Sequence, residues 1–168
     1  MSHATLPRLA GADIAARLGR GELFSDLAAR VTGEEIVFAA QARSGASDLT
    51  AAEHKALRAG RESQGLRRLG ELRTASGRLV ARVASVYLPS RIPDLAVLHA
   101  LWETDVPLGV ALRPFGATRE SLEAAAGEGD VAVRARGRLL VAGVPVALAE
   151  EEILADFALA CWDAVPGC

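Results

Sequence analysis

VAVRARGRLLVAGVPVALAEEEIL, residues 131–154, decides the fold class of this chain. Its first half alternates: Val133, Ala135, Leu139 and Val141 fall on one side of an extended chain, and Arg134, Arg136 and Arg138 on the other. That period of two is the mark of a half-buried strand. Ala142-Gly143 supplies a two-residue break suited to a tight hairpin. In the returning strand the side holding Val144, Val146 and Leu148 arrives next at Glu150, while Glu151 points the opposite way. The three arginines read as a solvated comb.

A second hairpin lies upstream, in GLRRLGELRT (65–74) and RLVARVASVYLP (78–89), joined around Ala75-Ser76-Gly77. EEIVFAAQA (34–42) is a further strand, RSGASD (43–48) a loop, and LTAAEHKALRA (49–59) a helix that Thr50 and Glu53 open as a capping box. LAGADIAARLGRGELFSDLAARVTG (9–33) gives two short helices broken at Gly19 to Gly21, the second closed by Gly33. Leu95, Leu98, Leu101 and Trp102 recur at helical spacing between Asp94 and Glu103, with Trp102 as a core residue. The expected architecture is α+β: a mostly antiparallel sheet of about five or six strands flanked by helices, one domain over residues 1–168 enclosing a small apolar pocket.

Composition narrows the function. A formal charge of −2 spread over mixed signs offers no long-range field to nucleic acid. The longest uncharged apolar runs, such as Val144 to Ala149, fall far short of the roughly 20 residues of a membrane helix. The N-terminus lacks the basic-then-apolar order of a signal peptide. A cytoplasmic protein with neither nucleic acid nor membrane as partner is expected. Cys161 and Cys168, six residues of sequence and no His between them, form no metal-ligand pattern, so neither a metal nor a cofactor is expected.

The sharpest chemical feature is Glu150, where an apolar strand face runs into a carboxylate. Desolvation disfavours the charged form, raises the pKa and equips such a group to donate a proton near neutral pH. The competing reading of EEE at 150–152 is a solvated strand end.

The order of elements resembles the chorismate pyruvate-lyases, whose antiparallel fold is also used by effector-binding domains of one class of bacterial transcription regulators. The resemblance is carried by LFSDLAARVTGEEIVFAAQ, by GELRTASGRLVARVASVYLP with Glu71 and Pro89 in place, by PLGVALRPFGATRE, and by the closing hairpin RGRLLVAGVPVALAEEEIL. It implies a chorismate lyase-like fold and a strand at 117–129, where propensity alone favours a helix. It implies a cofactor-independent carbon–oxygen lyase that eliminates pyruvate from chorismate, or a close analogue, to give 4-hydroxybenzoate or a related aromatic acid. Counted from Pro145, the active-site glutamate of that family falls on Glu150, and Leu108, Gly109 and Leu112 would shape the wall over the ligand.

One departure is serious. The arginine that binds the ring carboxylate in that family corresponds to Gly70, and glycine offers no cation. Arg68, two residues earlier on the same strand face, Arg113 beside the Pro-Leu-Gly turn, and Arg73 are the replacements available. The alternative expectation is a non-catalytic module that binds an aromatic or cyclohexadiene carboxylate on the same fold. The 33 residues before the first expected strand are too few for the DNA-binding domain that accompanies such modules.

Overall fold

The computed structural model describes the backbone of residues 5–164 and the side chains of residues 10–161. Its centre is one six-stranded antiparallel sheet: β1 (Ile36–Asp48), β2 (Gln64–Thr74), β3 (Leu79–Tyr87), β4 (Thr118–Ala126), β5 (Val131–Val141) and β6 (Val144–Leu154). The order β1-β2-β3-β6-β5-β4 makes it two three-stranded meanders joined where β3 meets β6. Short turns join β2 to β3, β4 to β5 and β5 to β6, whereas a helical connection leads from β1 to β2. Ala142 and Gly143 both take positive φ, 50° and 76°, at the β5–β6 corner, and Gly77 does so between β2 and β3, matching the twist of paired strands.

Among the described residues six α-helices flank the sheet: α1 (Thr5–Gly19), α2 (Phe24–Thr32), α3 (Ala51–Leu57), α4 (Leu95–Glu103), α5 (Leu108–Leu112) and α6 (Ala155–Ala164). Local chemistry sets their ends. Gly33 closes α2 in the left-handed conformation, and its N–H reaches the Ala29 carbonyl. The Thr50 hydroxyl accepts from the Glu53 N–H at 3.2 Å and the Glu53 carboxylate accepts from the Thr50 N–H at 2.7 Å, completing the capping box of α3. Asp94 caps α4 by accepting from the Ala96 N–H.

Both sheet faces are used. On one, Ile36, Phe38, Leu72, Val83, Val133 and Ile153 pack under α1, α2 and α6 through Ile14, Leu18, Leu27 and Phe157. Further along that face, Tyr87, Leu139 and Ala147 pack under α4 and α5 through Leu101 and Leu112. The opposite face carries a smaller cluster, Val86 and Leu148 beneath Leu57 of α3, and beyond α3 it opens to solvent.

Three local expectations are corrected. RSGASD is not a loop: β1 runs through it to Asp48, absorbing register shifts between Ala40 and Ala42 and between Ser44 and Ser47. The arginine comb is not uniformly solvated, because Arg138 is buried beneath α3, forked onto Glu120 and donating to the Ala56 carbonyl. Trp102 is only half-buried; the fully buried side chain of α4 is Leu101. Residues 118–126 are a strand, since the ladder with β5 outweighs the helix propensity of Glu, Leu and Ala. Cys168 lies outside the described residues.

The positive φ of Ala142 strains an L-residue with a Cβ. Ala142→Asn, creating the preferred Asn-Gly corner, is expected to raise unfolding stability by about 1 kcal/mol. Urea denaturation checks it; a lowered midpoint would show that the corner is not a primed turn.

Candidate functional site

Between the two apolar cores on the covered face runs a row of small and polar residues. The strand register places Arg68 opposite Ser85, Ser85 opposite Ala149, and Ala149 opposite Gly137. Serine, alanine and glycine cannot fill the space that leucine and phenylalanine fill on either side. The hollow left is a cavity of about 40 Å³, closed by Leu23–Ser25 of α2 and by Pro107–Gly109 at the start of α5.

Two arginines and one glutamate enter this hollow. Arg119 of β4 and Glu151 of β6 are both buried, and the Arg119 Nη1 donates to Glu151 Oε1 at 2.7 Å. The pair is half-made: Arg119 Nε and Nη2 and Glu151 Oε2 are buried without a hydrogen-bond partner. Gly137 makes this possible, because a Cβ there would stand 2.6–2.7 Å from the guanidinium atoms of Arg119. Burial pushes the Glu151 carboxyl above its ordinary range, with Arg119 pulling the other way.

Arg68 makes no ion pair with a carboxylate among the described residues. Its guanidinium lies 4.0 Å over the Phe38 ring, and Nη2 donates to the carbonyls of Val106 (3.0 Å) and Thr104 (3.3 Å). Nε is buried and unpartnered. Desolvation pushes its pKa down to about 10, which leaves it cationic at neutral pH. Gly70 receives the edge of the Phe38 ring, with ring carbons 2.8–3.0 Å from where a Cβ would sit. The position that the resemblance assigned to an arginine is therefore filled by an aromatic ring, and the cation stands one step along the strand on top of it.

One hydroxyl completes the set: Ser25 Oγ lines the cavity and is buried with no partner. Gly109 lets α5 approach Ser25, whose Oγ is 2.8 Å from the place of a Cβ. Among the described residues no group of three His, Cys, Asp or Glu side chains could hold a metal.

The expected site residues separate. Arg68, Leu108 and Gly109 meet at the cavity. Leu112 is fully buried in the α4–α5 core and does not line it. Arg113 is half-exposed and ion-paired with Asp26. Arg73 bonds Glu71 and the Gly77 carbonyl on the open face. Glu150 stands on that open face too, its side chain 60% exposed and 3.1 Å from Arg136. Leu148, the apolar residue that precedes it on that face, lies beneath Leu57 of α3, and this cover ends before residue 150. The buried carboxylate is Glu151, and Ile153, two residues on and fully buried, is the sequence signal that its face stays inside while Glu152 leaves.

Solved structures share this architecture. PhnF from Mycobacterium smegmatis matches with a TM-score of 0.55 at 13% identity, over 80% of this chain and 64% of that one. The separate effector domain of PhnF matches with a TM-score of 0.55 at 15% identity, over 82% and 91% of the two chains. The ligand-binding domain of a protein from Bordetella bronchiseptica assigned to the GntR family of transcriptional regulators gives 0.50 at 15%, over 73% and 86%. The chain has the fold of these effector domains. No protein-family model matches it, and no curated protein matches it significantly.

The lyase expectation is corrected on these grounds. The chain's structural likeness is to regulator effector domains rather than to a chorismate lyase, and the geometry disagrees with the lyase chemistry as well. Glu150 is outside the cavity, the ring-binding arginine is replaced by Gly70 under Phe38, and about 40 Å³ is far below the ~150 Å³ of a cavity known to admit benzene. Neither chorismate nor 4-hydroxybenzoate fits there, and the assignment of Glu150 as an acid catalyst falls with the reaction.

The raised Glu151 pKa has a signature in stability. The folded chain holds this proton more tightly than the unfolded chain, so the contribution is present below the ordinary carboxylate range and lost as pH rises through the raised folded value. Unfolding free energy measured at stepped pH should decline across that window, and Glu151→Gln should flatten the decline. An undiminished slope in the variant would assign it to other groups.

Proposed function

We propose that the chain is a non-catalytic ligand-binding domain whose ligand is a small organic anion bearing a hydroxyl or amino group. The observation that carries this is the Arg119 fork: Nε and Nη2, the edge that grips a carboxylate or phosphate with two parallel bonds, are buried and unpartnered, while the far end of the same guanidinium is anchored on Glu151. Two guanidiniums against one carboxylate leave one positive charge in excess, which a monoanion neutralises. Glu151 Oε2 then accepts from a donor on the ligand, and Ser25 offers a hydroxyl that can serve either way. The first turn of α2, which no side chain caps, adds free N–H groups and the positive end of a helix dipole beside the cavity. The fold shared with an effector domain and a ligand-binding domain agrees with this reading, in which Arg68, Leu108 and Gly109 keep the binding role expected from sequence and the aromatic ring is given up for want of room.

A melting-temperature panel of acetate, glycolate, lactate and phosphate tests it. At least one anion should raise the transition, by the amount its excess over Kd dictates. Arg68→Ala and Arg119→Gln should each weaken that anion by about 2 to 4 kcal/mol, and Arg113→Ala should leave it unchanged. A panel without effect, or an effect that survives loss of both buried arginines, would exclude an anion in this cavity.

A further inference from the structure

The segment between α4 and α5 is held down by its backbone. Three successive carbonyls point to the sheet: Thr104 accepts from Arg43 Nη2 at 2.8 Å and from Arg68 Nη2 at 3.3 Å, Asp105 accepts from the Phe38 N–H at 2.7 Å, and Val106 accepts from Arg68 Nη2 at 3.0 Å. The next three residues, Pro107, Leu108 and Gly109, line the cavity. The helix leading into this strap is weakly docked: α4 reads LAVLHALWE, yet only Leu101 is buried and Leu95 is 82% exposed. Glu103, Thr104 and Asp105 are exposed and held by two arginines and the Phe38 N–H, and a stretch of this kind belongs to the low-stability end of a fold.

Arg68 thus faces two ways. Its side chain lines the cavity with Nε buried and unpartnered, while Nη2, the other half of the same fork, holds the strap. We propose that an anion in the cavity takes the Nε–Nη2 edge of Arg68, withdraws Nη2 from the Thr104 and Val106 carbonyls, and so loosens residues 104–112. The bound state is reported at the surface by the mobility of this strap and of α4. The proposal rests on the anion-binding reading above and deepens it: a neutral ligand of the same shape would leave Arg68 on the carbonyls. The exchange favours the anion, because a charge-assisted bidentate pair is stronger than guanidinium bonds to neutral carbonyls. Arg43 keeps its own bond to Thr104 and contacts Asp105, so the strap is loosened without being cast off.

Amide hydrogen exchange on the full chain reads this directly. Without ligand, Arg68→Met should speed exchange at residues 106 and 108–112 by tenfold or more, with Leu72 and Ile153 in the other core unchanged. Arg43→Met should speed the same amides while leaving anion affinity intact, and it carries the test if Arg68→Met does not fold. In the wild type, glycolate should speed the strap amides while it raises the melting temperature, and glycolamide, its neutral counterpart, should do neither. If glycolate binds and the strap amides keep their rate or slow, the coupling is overturned and the binding site stands. If no anion in the panel binds, both fall; if neither arginine variant changes ligand-free exchange, the strap is held by something else and the proposal is wrong.

Discussion

The buried Arg119–Glu151 pair is the constraint around which the covered face of the sheet is arranged. Removing two charges from water costs several kcal/mol per ion, and mutual attraction recovers that only where geometry is good and the remaining donors and acceptors are met. Here one hydrogen bond is made and three polar atoms of the pair are left over. A pair kept for stability alone would be closed on both edges, or replaced by apolar side chains of like volume. The open outer edge is the observation on which the proposed anion site rests.

The surroundings follow from that need. An apolar core continuous across the sheet would press leucine or valine against the guanidinium, so the core is split: one part beneath α1, α2 and α6, the other beneath α4 and α5. The row between them is built from Ser85, Ala149 and Gly137, with Arg68 at its end. Orphaned polar atoms cost about 1–3 kcal/mol each, and this site gathers them on Ser25, Arg68, Arg119 and Glu151. That concentrated cost makes the site responsive, because a partner that satisfies several of them at once recovers it.

What the sequence disclosed and what it hid divide along physical lines. The Thr50–Glu53 box, the Gly33 cap and the Ala142-Gly143 corner are local chemistry, and each formed where its residues stand. The place of Arg68 on the face of Gly70 was legible from a period of two, while the choice among Arg68, Arg73 and Arg113 was not. Glu150 was misread because apolar residues occupy both faces of β6, and alternation alone does not say which face remains covered past residue 149; Ile153 against Glu152 does. Arg119 was hidden in TRESLEAAAGEGD, where helix-forming residues and the register shift between Ser121 and Glu123 blur the strand period. The Pro-Leu-Gly turn and the closing hairpin report corners of the backbone, which unrelated binding sites can share, so the lyase chemistry inferred from them did not follow.

Subtraction shapes the site as much as any side chain does. Gly137 leaves room for the Arg119 fork, Gly70 for the Phe38 ring that carries Arg68, and Gly109 for Ser25. In each case a missing Cβ on one element admits a functional group from its neighbour, and a single methyl would shift that group by a few tenths of an ångström or displace it. A pocket made this way can change its ligand without moving a strand. This is why a shared fold at 13–15% identity fixes where the hollow lies and leaves its chemistry to be read from the arginines, the glutamate and the glycines of this chain.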